Sequence, residues 1–167
     1  GLVCRTRSAG DGRRRYVRLS ADLPAHRSQP APIEAADVLF VCRHNSARSQ
    51  IAAAYWNQRS TIPADSAGTR PAARVHPLAV QAAAQRGPDL SGRAPRGITV
   101  LTRVPGLVVS VCDQAFEEAD PFIDVRHLHW SVPDPAARSE LRAFDAAFDE
   151  IARRIDRLAP FVVAPSA

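Results

Sequence analysis

Cys42 and Arg48 frame a five-residue polar loop, Arg43-His44-Asn45-Ser46-Ala47, and Ser49 follows directly. An apolar run, Val38-Leu39-Phe40-Val41, precedes the cysteine, and the chain turns helical after the serine. A strand, a tight loop and a helix N-terminus in that order build an anion site. Loop N–H groups and the helix dipole converge on one spot. Arg48 adds a planar cation with two prongs. A cysteine that opens such a loop lies in a positive field that favours its thiolate. The spacing therefore describes a sulfur nucleophile beneath a tetrahedral oxyanion cradled by residues 43–48. His44 is in the loop, where tuning of the field and an idle position both remain open.

Two further reactive residues fall at strand ends. Cys112 closes the apolar run from Leu107, and Asp134 follows the strand-like Val125–Trp130. Strand and helix alternate from Asp37 onward. Helices are predicted over Arg48–Arg59, with Ile51, Ala52, Tyr55 and Trp56 at helical spacing, and over Pro77–Arg86. The second starts at His76-Pro77 and stops at Gly87-Pro88. A short strand is predicted over Ala64–Thr69. Arg138–Leu158 is a long amphipathic helix with Leu141, Phe144, Phe148, Ile151, Ile155 and Leu158 on one face. Trp130 is assigned to the core, and the Pro-punctuated tail from Ala159 is expected to fray.

This alternation predicts an α/β three-layer sandwich: a four-stranded parallel sheet with helices on both faces. Ligands in such sheets bind beyond the strand C-termini. With strand order 2-1-3-4, the first and third strands are neighbours about 4.8 Å apart. Cys42 and Cys112 then share one edge, and a modest loop movement reaches the Cα separation of about 4.4–6.8 Å that a disulfide needs. Asp134 approaches from one strand further over.

The 167 residues are 46% hydrophobic, enough for a real core. No apolar run is long enough for a membrane span, and no signal peptide is visible. Three irregularly spaced cysteines make no disulfide framework, so a cytoplasmic location is expected. All 22 basic residues are arginine, which suggests a GC-rich genome rather than a function, and the absence of methionine is expected for a processed or truncated piece. Residues 1–36 hold seven arginines and three acids, a net of +4, whereas 37–167 hold fifteen and fourteen, a net of +1. The basicity belongs to the N-terminal segment. Residues 1–19 read as a β-hairpin around Ala9-Gly10-Asp11-Gly12 with an arginine-rich second strand. Residues 20–36, with Pro24, Pro30 and Pro32, read as a linker, and the main domain spans 37–160.

Several motifs then carry a family resemblance. Val-Leu-Phe-Val-Cys-x5-Arg-Ser opening a βα unit resembles the low-molecular-weight protein tyrosine phosphatase superfamily. Asn45–Gln50, Ser66–Thr69, Val75–Val80, Asp89–Gly92, Val111–Asp113 and His129–Pro135 resemble its thioredoxin-type arsenate reductases. The likeness covers about residues 37–158 and implies the phosphotyrosine phosphatase I-like fold. It implies Cys42 as nucleophile and Arg48, with the N–H groups of Arg43, His44, Asn45, Ser46 and Ala47, as oxyanion cradle. Asn45 resembles the residue that braces the loop, Ser49 the hydroxyl on the thiolate, and Asp134 the general acid. Cys112 matches the thiol that attacks the cysteine–arsenic adduct. Gly1–Leu19 resembles the wing of an ArsR-type winged-helix repressor, which implies DNA as a partner and reading helices upstream.

The match has one gap. The three-cysteine reductases carry another cysteine before a proline shortly after the Cys112 position, where this chain has Glu118-Ala119-Asp120-Pro121. Thioredoxin acting directly on a Cys42–Cys112 disulfide, or mycothiol or glutathione resolving the adduct, would replace it. Phosphomonoester hydrolysis through a phosphocysteine is the rival chemistry. Ala136-Ala137-Arg138 after Asp134-Pro135 offers no ring-stacking platform, which favours a small inorganic oxyanion. An oxyanion-sensing repressor domain is the alternative outside catalysis. Cys4 is assigned as incidental to the hairpin, with metalloid sensing as its alternative. His127 and His129 are assigned to packing, no third metal ligand having suitable spacing. Asp120-Pro121 is assigned to a turn. No resident metal or cofactor is expected, only an external thiol reductant.

Overall fold

A computed structural model describes residues 3–19, 31–118 and 124–165. The turn assigned to Asp120-Pro121 and most of the 20–36 segment lie outside them.

The sheet is built from β4 (Val38–Cys42), β5 (Ala64–Gly68), β6 (Leu107–Ser110) and β7 (His127–His129), all parallel, in the order β5-β4-β6-β7. This is the predicted 2-1-3-4 order. β4 and β6 are buried along their whole length, as expected for central parallel strands covered on both faces. The helices are α1 (Arg48–Arg59), α2 (Pro77–Ala84), α3 (Asp113–Glu118) and α4 (Leu141–Leu158). α1 and α3 connect strands that step in opposite directions from the centre, so right-handed crossovers put them on opposite faces. α4 buries Phe144, Phe148, Ile151 and Ile155 against its neighbours, with Leu141 and Leu158 partly covered at its ends.

Four differences from the expected elements have local causes. α4 starts at Leu141, not Arg138, because Asp134 caps a separate 3₁₀ turn at Pro135–Ala137 and Ser139 takes a φ of 50°. α3 was not anticipated; its six residues are too few to show a helical period. The tail does not fray at once: Val162–Val163 (β8) pairs in parallel with Ile33–Glu34 (β3). The last residues of the expected linker are therefore attached to the main body, and ordered pairing runs past residue 160.

The N-terminal hairpin is present as β1 (Val3–Arg7) and β2 (Arg15–Leu19), antiparallel, with Cys4 opposite Arg18. It docks on α3. Glu117 accepts hydrogen bonds from Ser8 Oγ at 2.7 Å, Asp11 N at 2.7 Å and Tyr16 Oη at 2.8 Å. Ala9 N donates to Asp113 Oδ2 at 2.7 Å, and the Tyr16 ring lies 4.4 Å from that of His129. Burial raises the Glu117 carboxyl, but the Ser8, Tyr16 and Asp11 donors outweigh it and hold it below the usual range. Burial and the neighbouring Glu117 charge hold Tyr16 well above an ordinary phenol.

Candidate active site

β4 delivers Cys42 to the C-terminal edge of the sheet, where the loop curls around its sulfur. Four outside donors fix the curl. Thr69 N donates to Cys42 O at 3.3 Å, Arg70 N to Arg43 O at 2.7 Å, Ala72 N to His44 O at 2.9 Å and His76 N to Ser46 O at 2.8 Å. With its carbonyls engaged outside, the loop is free to turn N–H groups inward. The Asn45 N–H donates to Cys42 Sγ at 3.2 Å. Asn45 takes the left-handed conformation, φ 48°, which asparagine tolerates better than most residues. Gly68 lets β5 approach this closely; a Cβ there would lie 2.8 Å from Arg43 O and 2.9 Å from Asn45 N.

Behind the sulfur is a buried polar chain. Ser49 Oγ is 3.0 Å from Cys42 Sγ and accepts from Asn45 Nδ2 at 2.8 Å. Asn45 Oδ1 accepts from Gln50 Nε2 at 3.1 Å and from Arg96 N at 2.9 Å. Gln50 also donates to Ala94 O at 3.3 Å.

Arg48, first residue of α1, is buried although charged. Its Nη1 donates to Val132 O at 3.0 Å, and Nη2 is 3.4 Å from Asp134 Oδ1. Asp134 is 39% exposed against 7% for Arg48, so the carboxylate lies at the solvent edge of the guanidinium. Its Oδ1 also accepts from Ala136 N at 3.2 Å.

Cys112 follows β6 and is buried. Val111 N donates to Val41 O at 2.8 Å, which registers it beside Cys42. Burial pushes the Cys112 thiol up to about 11, and the Cys42 charge adds to the rise. Arg48 and the N–H groups of Ala115 and Arg43 pull the other way.

The predicted residues 42–49, 112 and 134 come together here. Within the loop, Ala47 and Asn45 are buried, Ser46 and Arg43 half-buried, and His44 exposed. The Arg43 side chain leans away: its Nε is 3.9 Å from Glu118 Oε1, and Glu118 also accepts from Thr69 Oγ1 at 2.6 Å. Gln50, Arg96 and Gly68 were not singled out from the sequence. A signal existed for Gln50, an amide next to the apolar run Ile51–Ala54 of α1.

The remaining candidates lie elsewhere. His127 Nε2 is 2.7 Å from Ser110 Oγ, and His129 Nε2 is 3.0 Å from Asp113 Oδ1. Phe116 stacks on His129 with ring centres 4.4 Å apart, and burial lowers both imidazoles. These contacts fit the packing assignment. Among the described residues no group of three or more His, Cys, Asp or Glu could hold a metal, and no helix is long and apolar enough to cross a membrane.

Known proteins share this arrangement. An arsenate reductase of Bacillus cereus (strain AH187) is 33% identical over 133 residues, covering 72% of this chain and 91% of the relative. The crystal structure of arsenate reductase from Archaeoglobus fulgidus DSM 4304 superposes with a TM-score of 0.63 at 29% identity, covering 74% of this chain and 99% of that one. A thioredoxin-dependent arsenate reductase of Corynebacterium glutamicum gives 0.56 at 27% identity, covering 78% and 61%. The family model for low molecular weight phosphotyrosine protein phosphatase matches residues 37–164. With that match across most of its length, and the Cys42 loop at the strand edge, the chain belongs to the low molecular weight phosphotyrosine protein phosphatase family.

Proposed function

We propose that this chain reduces arsenate to arsenite, with Cys42 as nucleophile. One observation carries the reading: a second buried thiol, Cys112, follows β6, the strand paired with β4, and so lies beside Cys42 at the same sheet edge. Hydrolysis of a phosphomonoester needs the loop, Arg48 and an acid, but no second sulfur. The curated arsenate reductase among the relatives supports the same choice.

The loop N–H groups of residues 43–47 and the Arg48 guanidinium hold the oxyanion. The Cys42 thiolate attacks arsenic; an S–As bond forms, an As–O bond breaks, and Asp134 protonates the departing oxygen, which leaves as water. The Cys112 sulfur then attacks Cys42 Sγ. An S–S bond forms, the S–As bond breaks, and its electron pair stays on arsenic, reducing As(V) to As(III). The Cys112 proton passes to the departing arsenite. Cys42 reacts first because its sulfur lies at the base of the loop that cradles the oxyanion, while the buried Cys112 thiol is pushed up to about 11. Consuming the Cys42 charge removes one cause of the Cys112 rise, which readies the second thiol when it is needed.

An external thiol returns two electrons to the disulfide. Thioredoxin is the donor we favour, since the Corynebacterium relative is described as thioredoxin-dependent; mycothiol and glutathione are the alternatives. Chemistry that needs both sulfurs reduced belongs in a reducing compartment, the cytoplasm. The test is arsenite formation from arsenate with each reductant system in turn. Arsenite that disappears in Cys42→Ser is expected. No arsenite with any donor, beside brisk aryl phosphate hydrolysis, overturns the reading in favour of a phosphatase.

The hairpin carries a second, separate proposal. Its Arg13 side chain is 93% exposed and Arg14 57%, which suits a wing that lies along a DNA backbone. Titration of a labelled duplex with this protein, with and without arsenate, tests DNA as a partner. Salt-insensitive or absent binding rejects it.

A further inference from the structure

We propose that Gln50 is a positioning residue that fixes the direction of the proton chain leading to Cys42. The inference rests on Cys42 being the nucleophile, and it concerns a residue outside the loop.

The direction follows from what each group can donate. Asn45 can offer the sulfur side either its NH2 or its carbonyl oxygen, depending on a flip of the amide. Two donors decide the matter: Gln50 Nε2 and Arg96 N both point at Asn45 Oδ1. A flip would set the Asn45 NH2 against two N–H groups. The amide therefore presents its NH2 to Ser49 Oγ. A hydroxyl whose oxygen already accepts that bond has its own hydrogen free, and the acceptor within reach is Cys42 Sγ at 3.0 Å. Each link is buried: Gln50 is 2% exposed, and Asn45 and Ser49 are 0%. Water does not compete for these bonds, so the polarity of one amide decides whether Ser49 donates to the sulfur.

Gln50 is held for this task. Its second N–H goes to Ala94 O, on the segment that supplies Arg96 N. Arg96 is itself bound to Ser66 O through Nε at 2.9 Å and paired with Asp65. The lock thus ties α1 to β5.

The experiment is a pH titration of Cys42 alkylation by iodoacetamide, followed by mass spectrometry of the Cys42 peptide, in a Cys4→Ser/Cys112→Ser background. The charged groups around the loop, Arg43, Arg48, Asp134 and Glu118, stay unchanged throughout. Gln50→Leu removes both side-chain N–H groups of Gln50, leaves Arg96 N as the one remaining donor to Asn45 Oδ1, and keeps the side-chain size. Its midpoint should move up by about one pH unit, the scale of a weakened hydrogen bond to a charged atom. Gln50→Glu sets a carboxylate against Asn45 Oδ1 and Ala94 O and should move it at least as far. In a Ser49→Ala background the lock has nothing to act on, so Gln50→Leu should then add no shift. Equal midpoints for wild type and Gln50→Leu, or the same shift with and without Ser49, would overturn the proposal. If Gln50→Glu does not fold, the Gln50→Leu pair of titrations still decides it. A wild-type Cys42 that resists alkylation at neutral pH would instead refute the nucleophile reading beneath it.

Discussion

Replacing Gly68 with alanine adds one methyl group where β5 presses closest on the loop. The added Cβ would lie 2.8 Å from Arg43 O and 2.9 Å from Asn45 N, where ordinary contact begins near 3.4 Å. The loop must retreat by roughly 0.6 Å, the difference between 3.4 and 2.8 Å. Both atoms are backbone, so no side chain can swing aside. The Asn45 N–H that moves is the one donating to Cys42 Sγ. Overpacking of this kind costs about 1–3 kcal/mol, which for a chain of this length lowers Tm by several degrees. Misplacement by a fraction of an ångström in an oxyanion cradle should lower kcat/KM by about 10–100-fold. The assay is steady-state arsenite formation, run beside aryl phosphate hydrolysis, with a thermal melt of the same sample. Gly12→Ala is the control, since nothing lies within 4 Å of a Cβ there. A Gly68→Ala enzyme with wild-type kcat/KM in both assays would refute the claim that this contact sets the cradle.

Four other outcomes are expected. Asp134→Asn should slow hydrolysis of aryl phosphates with poor leaving groups far more than of those with good ones, as stopped assays over a substrate series would show. Cys112→Ser should abolish thioredoxin-coupled arsenite formation while sparing aryl phosphate hydrolysis; equal loss of both would make Cys112 structural. Glu117→Ala should cut hydrogen-exchange protection of the Asp11 N–H by about 100-fold, as three hydrogen bonds of roughly 1 kcal/mol each disappear together. The same docking should weaken in acid. A carboxyl held below its usual value contributes stability that is present above the unfolded value and is lost as pH falls through the folded one, so protection at Asp11 should fall as the pH is taken below the ordinary glutamate range.

How much of this was legible in the sequence depended on distance along the chain. The Cys42 loop and α1 were legible because a strand, a loop and a helix start lie within some twenty consecutive residues, each with its own pattern. Alternation and handedness restrict the topology without fixing it; the order 2-1-3-4 goes with the fold that the family resemblance implies, and Cys112 and Asp134 meet the loop only once that order is in place. Gln50 acting with Ala94 and Arg96 was not legible, since those partners are 44 or more positions away and meet only through the packing of α1 on β5. Gly68 hid inside a plausible strand end. α3 and the β3–β8 pair were missed for shortness: six residues and two residues carry no period. The docking of the hairpin on Glu117 needed three dimensions, because Ser8 and Tyr16 converge on a carboxylate more than 100 residues later.

The most direct test of the central claim is a single-turnover experiment without any added reductant. The fully reduced protein is mixed with arsenate, and arsenite, free thiols and disulfide-linked peptides are measured together. One arsenite per chain, loss of two of the three thiols and a Cys42–Cys112 cross-link are the expected result. Three thiols still free and no arsenite after prolonged incubation would contradict it.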